Sequence, residues 1–226
     1  MKVLFFLPFF FCNTLLAQQH IAQFALWQPK NGQTAAFETG YKKHLVWHQS
    51  NGDAWSWYGW YFISGPRYGQ FLDATFGHAW RDFDHRVNPA GDGADNQLNV
   101  EPYADFKLAY KVAFLSTLST GDSSLLHSKF LRMLTLEVSD MNEGAKLLAG
   151  LKRSYQDCRF LAYRLTDGGP VNQLILLLGF SNFELYGLSE GLPEEIQRLE
   201  STLKLHTITG ITSETLAYRA DLSLLN

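Results

Sequence analysis

The sequence predicts an α+β fold in which the order strand–helix–strand–strand–helix–strand runs twice through one chain. Three observations carry this expectation. Apolar runs of strand length alternate with helical stripes, turn-forming clusters fall where hairpins need them, and two stretches about a hundred residues apart resemble each other.

The second half reads most clearly. Residues 130–138 form a strand-length apolar run, and residues 143–155 place Leu147, Leu148, Leu151 and Tyr155 on one helical stripe. Residues 160–165 and 174–178 are strands joined by Asp167-Gly168-Gly169-Pro170, a cluster suited to a hairpin. Pro193, Glu194 and Glu195 open a helix, with proline in the first turn and acids near the positive end of the dipole. Ile196, Leu199 and Leu203 supply its buried stripe, and residues 216–222 make the last strand. The first half follows the same order. Residues 20–28 are a strand and 34–48 a helix. Residues 55–63 and 69–76 are hairpin strands around Ser64-Gly65-Pro66-Arg67. A short helix at 79–87, a polar loop rich in Gly, Asp and Asn at 88–105, and a strand at 108–116 complete it. The repeat appears as Leu108-Ala109-Tyr110-Lys111 against Leu216-Ala217-Tyr218-Arg219, and as Gly65-Pro66 against Gly169-Pro170.

This order is the ferredoxin-like one. The expected organisation is a signal peptide at 1–17, a first ferredoxin-like module at 18–120, a linker at 121–128 and a second module at 129–226. Such a module has helices on one face of its sheet and leaves the other face apolar, so two copies can bury those faces against each other. In element order and duplication the chain resembles the dimeric α+β barrel superfamily in its tandem, single-chain form. That group includes NIPSNAP-like proteins, antibiotic-biosynthesis-type monooxygenases and haem-containing chlorite dismutases. The resemblance implies a cavity between the packed halves and oxidative chemistry assisted by a metal or by haem; it assigns no residue.

Composition narrows the partners. Lys2, an apolar run at 3–11 and Ala17 before Gln18 have the layout of a secretory signal peptide, which predicts a periplasmic or secreted protein. Cleavage after Ala17 removes Lys2 and takes the formal charge from −3 to −4. A slightly acidic chain has no electrostatic footprint for nucleic acid, and no later apolar run is long enough to anchor it in a membrane. Cys158 is the one cysteine left after cleavage, so no internal disulfide can form. Burial must hold the fold together, and a composition 46% hydrophobic and 15% aromatic can supply it.

The halves are chemically unequal. All six tryptophans and five of the seven histidines precede residue 100, whereas leucine dominates the second half. A site is therefore expected in the first module, binding a small planar or aromatic ligand. His44 and His48, four apart, share one arc with Phe37, Tyr41 and Leu45. They can bind one metal ion, or one of them can ligate haem; the plain alternative is two hydrogen-bonded core histidines. His78 and Asp82, one turn apart, are candidates for a general base and its orienting carboxylate, against a junction stapled by ion pairs. Arg67, Trp57 and Trp80 are candidate ligand contacts, against a solvated turn residue and ordinary core filling. Oxygen ligands at Asp92, Asp95 and Asn96 do not fit a calcium loop and read as a turn-rich surface. Two functions follow: a ligand-binding protein with metal- or haem-assisted chemistry, or a non-catalytic structural or protein-interaction module.

Overall fold

The computed structural model describes residues 21–154 and 159–226. The expected signal peptide lies outside these residues, as do Tyr155 and Cys158. No described helix is long and apolar enough to cross a membrane.

Eight strands form one antiparallel sheet that closes into a barrel. In chain order the elements are β1 (Ile21–Pro29), α1 (Thr34–Ser50), β2 (Tyr58–Phe62), β3 (Phe71–His78), α2 (Pro89–Asn99) and β4 (Ala104–Phe114). There follow β5 (Phe130–Val138), α3 (Met141–Ser154), β6 (Phe160–Asp167), β7 (Gln173–Phe180), α4 (Phe183–Gly187), α5 (Leu192–Thr202) and β8 (Ile208–Tyr218). Round the barrel the order is β1-β3-β2-β8-β5-β7-β6-β4, and β4 pairs again with β1. β1 is central in the first half, between β3 and β4; β5 is central in the second, between β7 and β8. Two short seams join the halves: β2 with β8 through Trp60–Tyr218, Tyr61–Ala217 and Phe62–Leu216, and β4 with β6 from Lys111 to Phe114.

Side-chain alternation along each strand sorts the apolar residues into three cores. In β5, Leu131 and Met133 point into the barrel, where they meet Phe24, Trp60, Leu72, Val112 and Leu177. Leu134, Leu136 and Val138 point outward, onto Leu147, Leu148 and Leu151 of α3 and Ile196 and Leu199 of α5. On the other side of the ring, Phe37, Tyr41 and Leu45 of α1 cover Trp27, Trp57 and Phe71. Cavities of about 340 Å³ and 320 Å³ lie along the barrel interior, the first by the hairpin turns at Pro66 and Pro170 and the second by Ile21, Gly77 and Phe114.

Several expectations need correction. The stretch read as a loop, 88–105, contains helix α2. Asn88 accepts a hydrogen bond from the Gly91 amide and Pro89 opens the first turn, so capping rather than propensity starts this helix. α4 has no counterpart in the expected order, Leu203 is 37% exposed rather than part of the buried stripe, and β8 runs from Ile208 to Tyr218 instead of starting at Leu216. The stretch at 79–87 makes a 3₁₀ helix, Trp80–His85. The segment expected as a linker holds a 3₁₀ turn, Ser123–His127, whose Leu125 and Leu126 are buried in the barrel core.

Candidate metal centre

The site is built by three backbone segments meeting on the outer face of the first half of the sheet. α1 presents Phe37, Tyr41, His44, Leu45 and His48 inward, all buried, as their spacing requires. α2 crosses α1 at Gly40, where a Cβ would stand 1.7 Å from the carbonyl oxygen of Asn99. Only glycine permits that approach, and the approach carries Asp92 and Asp95 over the two histidines. The third segment follows α1 through Gly52, whose φ of +69° turns the chain back and delivers Asp53 beneath His48.

The hydrogen bonds orient both rings alike. His44 Nδ1 lies 2.7 Å from Asp95 Oδ2, and His48 Nδ1 lies 2.7 Å from Asp53 Oδ2. A carboxylate only accepts, so each Nδ1 carries the proton and donates it. The carboxylates are themselves held. Asn99 Nδ2 donates to Asp95, while the Trp55 amide and Trp57 Nε1 donate to Asp53. Asn226 Nδ2 ties down this turn by donating to the carbonyls of Asp53 and Trp55. Burial works to raise the Asp53 carboxyl, but the hydrogen bonds from His48, the Trp55 amide and Trp57 prevail and hold it below its ordinary value. Burial pushes His44 below the usual histidine range, against the opposing pull of Asp95, and so favours its neutral ring.

With the proton on Nδ1, the Nε2 of a neutral ring presents a lone pair. The two Nε2 atoms, of His44 and His48, face each other at 3.1 Å, and Asp92 Oδ1 lies 3.4 Å from the first and 3.7 Å from the second. The three separations define a triangle whose corners are about 2.0 Å from a common centre, against roughly 2.0–2.1 Å for a zinc–imidazole bond. Three buried acceptors converging on one point can hold a cation between them. The other Asp92 oxygen accepts from Arg86 Nη2 at 2.5 Å, which orients the carboxylate.

A cavity of about 240 Å³ opens beside this cluster, lined by Ala25, Trp27, Tyr41, Trp57, Asp73 and Asn96 among others, with the half-exposed Phe106 also on its wall. Asp73 sits on its floor, where burial pushes the carboxyl up to about 7 although Trp27 Nε1, at 2.9 Å, and Tyr41 donate to it. Haem does not fit here. The cavity is smaller than the roughly 300–1,000 Å³ of drug-sized pockets, and each Nε2 already faces the other histidine.

Of the residues singled out in the sequence, His44, His48 and Trp57 come together; the Trp57 ring lies 4.7 Å from that of His48. Their place differs from that implied by the superfamily resemblance. They lie beneath α1 on the outside of the sheet, not in the space enclosed between the two halves. His78 and Asp82 have separate partners: His78 Nε2 is 2.6 Å from Thr75 Oγ1, and Asp82 accepts from the Ala79 amide. Arg67 reaches into the barrel to pair with the buried Glu214, and Trp80 is 52% exposed. Sequence reasoning missed Asp92 and Asp95 as members of the site. Their signal was a polar stripe, Asp92, Asp95, Asn96 and Asn99, at helical spacing behind the Asn88-Pro89 cap.

No family profile matches the sequence, and no curated protein matches it. Solved structures do share its fold. A candidate monooxygenase from Lactobacillus acidophilus NCFM is 10% identical, with 92% of this chain and 96% of that one covered and a TM-score of 0.59. A heme-binding protein from Thermus thermophilus is 11% identical, covering 90% and 92%, with a TM-score of 0.55. A mutant chlorite dismutase from Candidatus Nitrospira defluvii, in complex with cyanide, is 7% identical, covering 88% and 91%, with a TM-score of 0.54. The chain shares the fold of these monooxygenase-like, heme-binding and chlorite dismutase proteins. At such identities the likeness speaks for architecture alone.

Proposed function

We propose that this protein binds one divalent transition-metal ion through His44 Nε2, His48 Nε2 and Asp92 Oδ1, and uses it to hold a small molecule in the adjoining cavity. The observation that carries this reading is the convergence of three buried lone-pair donors on one point, each histidine backed by its own carboxylate. Carboxylate-supported imidazoles are characteristic of metal ligands, because the outer hydrogen bond fixes the tautomer and raises ligand basicity. Two histidines and one carboxylate leave coordination positions open, the arrangement of non-haem iron oxygenases and of catalytic zinc sites. A bound ion would supply Lewis acidity there; the chain itself supplies orientation, a dry wall of Trp27 and Trp57, and the acceptor Asp73.

The test is metal content. Residues 18–226 are incubated with zinc, cobalt(II) or iron(II), desalted and analysed. One ion per chain is expected, lost in His44→Ala and in Asp92→Ala while the far-ultraviolet spectrum is kept. Metal-free wild type, or the same content in both variants, would refute the reading.

We further infer that the chain is a duplicated βαββαβ unit, with modules at 18–120 and 129–226 joined by 121–128. The orders β4-β1-β3-β2 and β8-β5-β7-β6 are the same order by position, and Gly65-Pro66 and Gly169-Pro170 occupy equivalent hairpins. The leader at 1–17 supports export to the periplasm or beyond.

A further inference from the structure

We propose that the centre takes a small uncharged hydroxylated aromatic, of the phenol or catechol class, with a ring hydroxyl oxygen on the metal and hydroxyl hydrogens accepted by Asp73 and Asn96. This rests on the metal reading above and adds the chemistry of what the cavity selects.

Four features of the cavity lead there. Its volume, about 240 Å³, suits one ring rather than a fused system. Its walls are aromatic: Trp27, Tyr41, Trp57 and Phe106 line it, with Trp27 and Phe106 in edge contact at 5.0 Å between centroids. A flat ligand gains stacking and burial against such surfaces at little cost in its own freedom. The polar atoms left over are acceptors. Asn96 Oδ1 is buried without a hydrogen-bond partner among the described residues, and the Asp73 carboxyl oxygens have more lone pairs than the donors Trp27 and Tyr41 occupy. A buried acceptor without a donor is costly, so the complementary ligand brings O–H groups. Charge completes the argument. Asp53, Asp92 and Asp95 balance Arg86 and one divalent ion, which leaves no net positive charge to draw in a carboxylate or phosphate. Among the described residues Arg86 is the one Lys or Arg lining the cavity, and Asp92 already holds it.

The experiment uses the cobalt(II)-loaded chain, whose visible bands report coordination, with phenol, catechol, benzoate and cyclohexanol as probes. Catechol and phenol are expected to shift those bands and quench tryptophan fluorescence. Benzoate and cyclohexanol, which lack the neutral aromatic hydroxyl, are expected to bind at least tenfold more weakly. Asp73→Asn, whose side chain is bonded to Trp27 and not to a convergent ligand, should retain one cobalt per chain and weaken catechol at least tenfold. Cobalt uptake with bands indifferent to catechol and phenol, or with benzoate preferred, would overturn this proposal and leave the metal centre standing. Absence of cobalt uptake would remove both. Undiminished catechol binding in cobalt-loaded Asp73→Asn would also overturn it.

Discussion

Asp95→Asn isolates what a residue behind the centre contributes. Asp95 touches no convergent ligand atom; it accepts from His44 Nδ1 at 2.7 Å while Asn99 holds its other oxygen. Asparagine keeps the size and an acceptor oxygen but loses the charge that makes the imidazole a better donor to metal. Losing such an outer partner typically weakens metal binding about 10- to 100-fold, or roughly 1.4–2.7 kcal/mol. At free zinc about 1,000 times the wild-type dissociation constant, binding stabilises the wild type by about 4.1 kcal/mol. The variant, at the same zinc, should gain only roughly 1.4–2.7 kcal/mol. For a chain of this length each kcal/mol moves Tm by roughly 2–4 °C, so wild type should rise by roughly 8–16 °C. The variant's shift should be about one third to two thirds of that. The assay is thermal unfolding of each protein with zinc and with EDTA; the difference cancels any effect of the substitution on the apo fold. Equal zinc-induced shifts in the two proteins would refute the argument.

Other consequences follow from the same geometry. Gly40→Ala puts a methyl group into the Asn99 carbonyl, so α2 must retreat from α1; overpacking of about 1–3 kcal/mol is expected by denaturant titration, together with loss of metal content. Glu214→Ala should destabilise by about 3 kcal/mol or more because it strands Arg67 in the barrel, whereas Arg67→Met with Glu214→Leu should recover most of that loss. The Asp73 carboxyl, raised from 3.8 to about 7, holds a proton in the fold that the unfolded chain has released. The Asp73 contribution to metal-free stability should therefore fall as pH rises from about 4 to about 7 and level off above it, read as the difference between the wild-type and Asp73→Asn profiles.

The strands and the faces of α1 and α3 were legible because apolar residues recur at the period of the element that buries them. The second half was clearest: residues 130–138 coincide with β5, and Leu147, Leu148 and Leu151 are wholly buried. The pair His44 and His48 stood out because its four-residue spacing coincides with that apolar arc. What failed to show was the partner helix. α2 contains two glycines and a run of Asp and Asn, poor helix formers, and what it buries is carboxylate rather than leucine. A periodicity search weighted by hydrophobicity passes over a helix whose inner face is polar. Without α2 the histidine pair had no third ligand. The outer position of the site was hidden for a different reason: which face of a sheet a helix covers is set by tertiary packing, and α1 lies on the side away from the other half.

Because the ring of strands closes through the β2–β8 and β4–β6 seams, none of the described strands is left as an open border along which a second chain could add itself. Exposed borders are where β-proteins aggregate when crowded or partly unfolded. Here a polypeptide rich in strand-forming leucine and aromatic residues keeps the backbone edges of its described strands paired. Self-association by strand addition would have to begin by parting a seam of three or four residue pairs.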